Sequence, residues 1–192
     1  MKKGRIEAFS DGVLAIIITI MVLEFKVPEG SQWKDLYTLL PKFLSYILSF
    51  TMILIYWNNH HNLFQTIEKI NGKVLLANGL LLFFLSLLPF ATAWMGENHF
   101  QREPVILMGF ILAMCGISYY ILLLFLKGTH EKDSKIHKAL GRDFKGKFSV
   151  IIYIFAMFLA FVHPYISLFL YVFVAFMWFY PDKRMEKVLD EF

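Results

Sequence analysis

Four stretches of this sequence are long, apolar and nearly free of charge: Ile6 to Phe25, Leu36 to Trp57, Val74 to Met95 and Val105 to Leu126. A helix needs about 20 predominantly apolar residues to span the roughly 30 Å hydrocarbon core of a bilayer, and each run meets that length. With 58% hydrophobic and only 18% charged residues in 192, the chain is too apolar to bury in one soluble core, so the excess calls for a second solvent. Two shorter runs follow, Phe148 to Val162 and Tyr165 to Tyr180, and they meet at His163-Pro164, a dipeptide that breaks a helix and turns the chain back. Each covers only about 23 Å, so they use their flanks, sit where the bilayer is thinner, or form a re-entrant hairpin. The expected architecture is an all-α integral membrane protein with six transmembrane helices, in one domain over residues 1–192.

Lys and Arg orient it, because cytoplasmic loops hold an excess of them. With the N-terminus inside, the inside segments carry Lys2, Lys3, Arg5, Lys69, Lys73, Lys127, Lys132, Lys135, Lys138, Arg142, Lys145, Lys147, Lys183, Arg184 and Lys187. The outside segments carry only Lys26, Lys34, Lys42 and Arg102. Both ends are therefore expected in the cytoplasm, with the protein in the cell membrane. The net charge of +4 reflects this asymmetry and forms no single basic face, which argues against nucleic acid as a partner. Glu7 and Asp11 interrupt the first run, and Glu24-Phe25-Lys26 offers no small-residue cleavage site, so the run reads as a span and not as a secretory signal. Cys115 is the only cysteine, which excludes disulfides within the chain and Cys-based metal clusters.

Arg5, Glu7, Ser10 and Asp11 stand at the entrance of the first helix, where an ionisable group is costly unless paired or wetted. On the residues alone two readings stay open. Arg5 and Glu7 can sit at headgroup level with Ser10 or Asp11 capping the helix, or Asp11 can be buried among helices. Asp11 lies about 140° around the helix from Ile16, so the two face different neighbours.

Arg5-Ile6-Glu7-Ala8-Phe9-Ser10-Asp11 resembles the R-x-x-x-F-S-D signature of the transmembrane protein 175 potassium-channel family. Trp57, His60 and Phe64 resemble that family's W-x-x-H-x-x-x-F pattern at the end of the second helix, and Leu88-Pro89-Phe90 its motif in the third. The second half of the chain agrees mainly in hydropathy. The resemblance implies one six-helix unit per chain, assembled as a homotetramer around a central pore lined by the first helices.

Ile16, Thr19, Ile20 and Leu23 recur at helical spacing and form one stripe. Without the signature such a stripe is ordinarily packing surface. By resemblance, Ile16 constricts the pore, Leu23 makes a second constriction one turn outward, and Thr19 forms a hydroxyl layer that favours potassium. An apolar ring gates by dewetting, while hydroxyls replace part of a cation's hydration shell.

The same comparison assigns Arg5, Phe9, Ser10, Asp11, Trp57 and His60 to a latch that ties the cytoplasmic end of the pore helix to its neighbours. Hydrogen bonds among Asp11, His60 and the Trp57 indole would satisfy groups that are expensive to leave alone in lipid. His60 and His61 are adjacent, so on a helix they point about 100° apart and rarely share a metal ion. His99, His130 and His137 fall in loops and read as solvated surface, and His163 as a turn residue. Pro89 is expected to kink the third helix and free a carbonyl.

The chain lacks the T-V-G-Y-G loop of a carbonyl filter and any Arg-rich sensor helix. A leak-like conductance with modest preference for potassium over sodium follows as an expectation, with no cofactor and with membrane lipid and potassium ions as partners. The loop from Lys127 to Lys147 mixes both charge signs and reads as solvated. A secondary transporter would show internal repeats and ionisable residues near the midplane, and a membrane enzyme using Asp11, His60 and His61 would need more convergent carboxylates than are found.

Overall fold

The first apolar run forms α1 (Lys3–Leu23), and Ile6, Ser10, Leu14, Ile17 and Met21, spaced three or four apart, make the face that it buries. The computed structural model describes residues 3–67, 69–131, 134, 136 and 144–179, and among them all regular structure is helical. Lys2, Lys132, Lys135, His137, Lys138, Arg142, Tyr180, Lys183, Arg184 and Lys187 lie outside the described residues.

A loop leads to the short α2 (Trp33–Tyr37), then to α3 (Leu40–Gln65). The second span starts at Leu40 and not at Leu36 because Pro41, in the first turn, needs no N–H partner there and cannot continue a preceding helix. It also continues past Trp57 to Gln65, since the polar residues that follow find partners. Asn59 Nδ2 donates to the Ile55 carbonyl at 2.7 Å, the His61 ring meets Gln65 Nε2 at 2.7 Å, and His60 is taken up by the next helix.

The third run is two helices, α4 (Gly72–Ser86) and α5 (Leu88–Glu97), broken at Leu87. Pro89 stands in the first turn of α5 and cannot extend the ladder backward. The Leu87 N–H instead bonds the Phe84 carbonyl at 3.2 Å, and the ladder resumes with Ala91 N–H on Leu87 O. α6 (Arg102–Thr129) follows, then α7 (Phe144–Leu159) and α8 (Pro164–Phe179). Between these two, His163 N–H bonds back to Leu159 O at 3.0 Å and α8 opens on Pro164, which is the turn that His163-Pro164 predicts.

Among the described residues, four helical segments are long and apolar enough to cross a membrane: Lys3–Leu23, Leu40–Gln65, Gly72–Glu97 taken across its break, and Arg102–Thr129. α7 and α8 have 16 residues each. α1 packs on α3, α4 and α5; α6 joins α4 and α5 to α7; α8 returns beside α7 and touches α3 and α6. Close approach is allowed by absent side chains. A Cβ on Gly109 would collide with Tyr171 Oη, whose hydroxyl donates to Val105 O at 3.0 Å, and one on Gly96 would lie 2.7 Å from Lys42 Cα. Cys115 is buried and unbridged.

Candidate functional site

α1 is held at two heights by polar contacts. Near its N-terminal end, Trp57 Nε1 on α3 donates to Asp11 Oδ1 at 3.0 Å, and a carboxylate acceptor strengthens such a bond. Ser10, fully buried, accepts from Asn78 Nδ2 of α4 at 3.0 Å, and Asn78 Oδ1 lies 2.8 Å from His60 Nε2 of α3. With the amide nitrogen donating to Ser10, the amide oxygen accepts from His60, so a proton sits on His60 Nε2. The His60 ring also stacks on Phe64 with centroids 4.3 Å apart. One buried amide thus joins three helices.

At the other end, Met21 Sδ lies 3.8 Å from Thr92 Oγ1 of α5, which is 2.6 Å from Ser49 Oγ of α3. Ser45 Oγ donates to the Thr92 carbonyl at 2.7 Å. Small hydroxyl residues of this kind let helices approach closely in a membrane and link them by hydrogen bonds. α1 and α3 run antiparallel with Asp11 opposite Trp57, so Ile16 stands at the height of Met52, midway along α3.

From the first attachment to just past the second, the opposite face of α1 is uncovered. Ile16 is 59% exposed, Ile20 41% and Leu23 80%, and Thr19 is exposed beside them. The Thr19 hydroxyl donates to the Ile16 carbonyl at 2.9 Å. Its proton is therefore committed to the helix, and its oxygen lone pairs are left for an electropositive guest. The stripe continues into an open groove floored by Val13, Ile17, Pro89 and Ala93 and flanked by Phe90 and Glu24.

The six latch residues divide. Ser10, Asp11, Trp57 and His60 come together, but in two separate links, and His60 turns to Asn78 instead of Asp11. Phe9 is 62% exposed and Arg5 is exposed; among the described residues neither enters the network. His60 and His61 diverge as adjacent helical residues must, and His61 stacks on Trp57 with centroids 6.0 Å apart. No group of three or more metal-ligating side chains occurs among the described residues. His130, expected to be solvated, is a connector: its Nε2 accepts from Lys69 N–H at 3.2 Å and its Nδ1 contacts Leu126 O at 2.8 Å. Asn78 and Thr92 are the residues that sequence reasoning missed. The available signal for Asn78 was an amide midway through an apolar run, which lipid tolerates only with a partner.

The chain has close relatives. A family model described as the endosomal/lysosomal potassium channel TMEM175 matches residues 5–89, from the first residue of the signature to the proline of α5. A protein named a potassium channel in Chryseobacterium sp. (strain P1-3) is 53% identical over 191 residues, covering 100% of both chains. Another so named in Chamaesiphon minutus is 43% identical over 100 residues, 49% of each chain. A crystal structure described as a lysosomal potassium-selective channel TMEM175 homolog from Chamaesiphon minutus superposes with a TM-score of 0.76 at 31% identity, covering 92% of this chain and 95% of that one.

Proposed function

The chain belongs to the transmembrane protein 175 family of potassium channels, and from that premise we propose that it is a potassium-permeable channel whose pore is built from the open stripe of α1 in four subunits. The observation that carries this reading is the division of α1 into a buried face and an uncovered one. A single chain cannot enclose a path with one stripe; four copies around an axis can. Ile16 and Leu23 would then form apolar constrictions and Thr19 a ring of hydroxyl oxygens between them. At the height of the α3 midpoint, the Ile16 ring lies deep in the membrane, where a dewetted constriction stops ions most effectively.

A single oxygen layer strips less water from a cation than stacked carbonyl cages, so the preference for potassium over sodium is modest. Ser10, Asp11, Trp57, His60 and Asn78 position the pore helix and carry no ion. Arg5 and Phe9, uncovered in one chain, complete the latch against a neighbouring subunit. The six apolar segments, α1, α3, α4 with α5, α6, α7 and α8, form a single domain with both termini cytoplasmic in the cell membrane.

The test is the reversal potential of purified protein in planar bilayers, with potassium on one side and sodium on the other. A potential displaced toward the potassium value, reduced in Thr19→Ala, with larger currents in Ile16→Asn, is the expected result. Clear voltage-driven gating would contradict the leak-like conductance, and no current in any of the three proteins would overturn the channel reading.

A further inference from the structure

The segment between α1 and α3 displays large apolar side chains and charged ones together: Glu29 and Lys34 are exposed beside its aromatics. Asp35, alone among its acidic residues, is half-buried, accepting from Gln32 N–H at 3.0 Å and lying over Gly30, where a Cβ would meet its Oδ2. The large apolar side chains point the other way: Val27 is 89% exposed, Trp33 82% and Tyr37 72%. A turn ordered by its own capping bonds while displaying aromatics and charges together suits the boundary between an apolar medium and water. The exposed face also does not stop at the turn. Trp33, Leu36 and Tyr37 of α2 lead at helical spacing into Leu40, Phe43, Leu44 and Ile47, all exposed along the first half of α3.

We propose that residues 27–37 dock on phospholipid, with Trp33 and Tyr37 seated at the headgroup–acyl boundary of the leaflet opposite the one that holds the N-terminus. The leaflet follows from connectivity, since α1 crosses once before the segment begins and α3 crosses back after it. Trp and Tyr prefer this zone because their rings are apolar and their N–H or O–H stays wet. Lys34, exposed between them, reaches lipid phosphate. A second copy of the chain is the competing occupant, and lipid is favoured because the exposed face is continuous with the span of α3.

The experiment is tryptophan fluorescence of the full chain in liposomes, compared with Trp33→Phe so that the difference reports Trp33 alone. Quenching of that difference by phosphatidylcholine brominated near the headgroup, at least twofold stronger than by deep-brominated lipid or aqueous acrylamide, is expected. Strong quenching by acrylamide alone would place the turn in water, and quenching by none would place it against another protein surface; either overturns the proposal. A nitroxide on Lys34→Cys in a Cys115→Ala background gives the same depth while keeping Trp33, with an interfacial depth expected and an aqueous one contradicting.

Discussion

The two faces of α1 share one backbone and almost the same aliphatic composition, yet they live in different surroundings. Ile6, Leu14, Ile17 and Met21 are at most 3% exposed, whereas Ile16 and Leu23, one or two positions away, are 59% and 80% exposed. Burial on the first face stabilises the chain's own fold. The second face is left uncovered by that fold, and in the proposed tetramer it lines the pore. Neighbouring residues of equal hydrophobicity should therefore fail differently when mutated, the buried ones by loss of folded protein and the open ones by altered current.

The largest separation is expected at Ile17. Ile17→Ala removes packed methyl groups and should cost about 2–5 kcal/mol, read as a lowered unfolding temperature in detergent, with selectivity per surviving channel unchanged. Asn78→Ala should follow at about 1–3 kcal/mol, since it strands His60 and Ser10 in the membrane interior. A selectivity change in Asn78→Ala without destabilisation would instead bring the network into the ion path. Thr19→Ala should leave stability within about 0.5 kcal/mol. It should lower the potassium-to-sodium permeability ratio roughly threefold, or about 0.7 kcal/mol, in bi-ionic potentials. The smallest effect is expected at the ion pair between Lys42 and Glu97, 2.8 Å apart with the Glu97 side chain 46% exposed. Lys42→Met should cost about 0–1 kcal/mol and less at high salt, measured by thermal unfolding across a salt series.

How much of this was legible beforehand follows from what each residue depends on. Span positions depend on local hydropathy, and the His163-Pro164 turn on local backbone chemistry, so both could be read directly from the chain. The start of α3 was misjudged because Leu36, Tyr37 and Leu39 are as apolar as a span, and only Pro41 marks where the helix can begin. The apolar run stops at Trp57 because Asn59, His60 and His61 are polar, whereas the motif reading that sets His60 and Phe64 at the end of the second helix agrees with α3 running to Gln65. The Asp11 to Trp57 link was expected as a family feature, but the path from His60 through Asn78 to Ser10 depends on α4 approaching α1 and α3, and hydropathy carries no such tertiary information. Phe9 and Arg5 show the same limit in reverse, since their motif positions are plain and yet one chain gives them no place in the network.

The division of α1 is tested most directly by single cysteine substitutions along it, in a Cys115→Ser background, with block of potassium current by silver ions as the readout. Block at Ile16→Cys, Thr19→Cys and Leu23→Cys, with none at Leu14→Cys, Ile17→Cys or Met21→Cys, is the predicted pattern. Block on the buried positions, or at all six without helical phase, would contradict a pore lined by the open face.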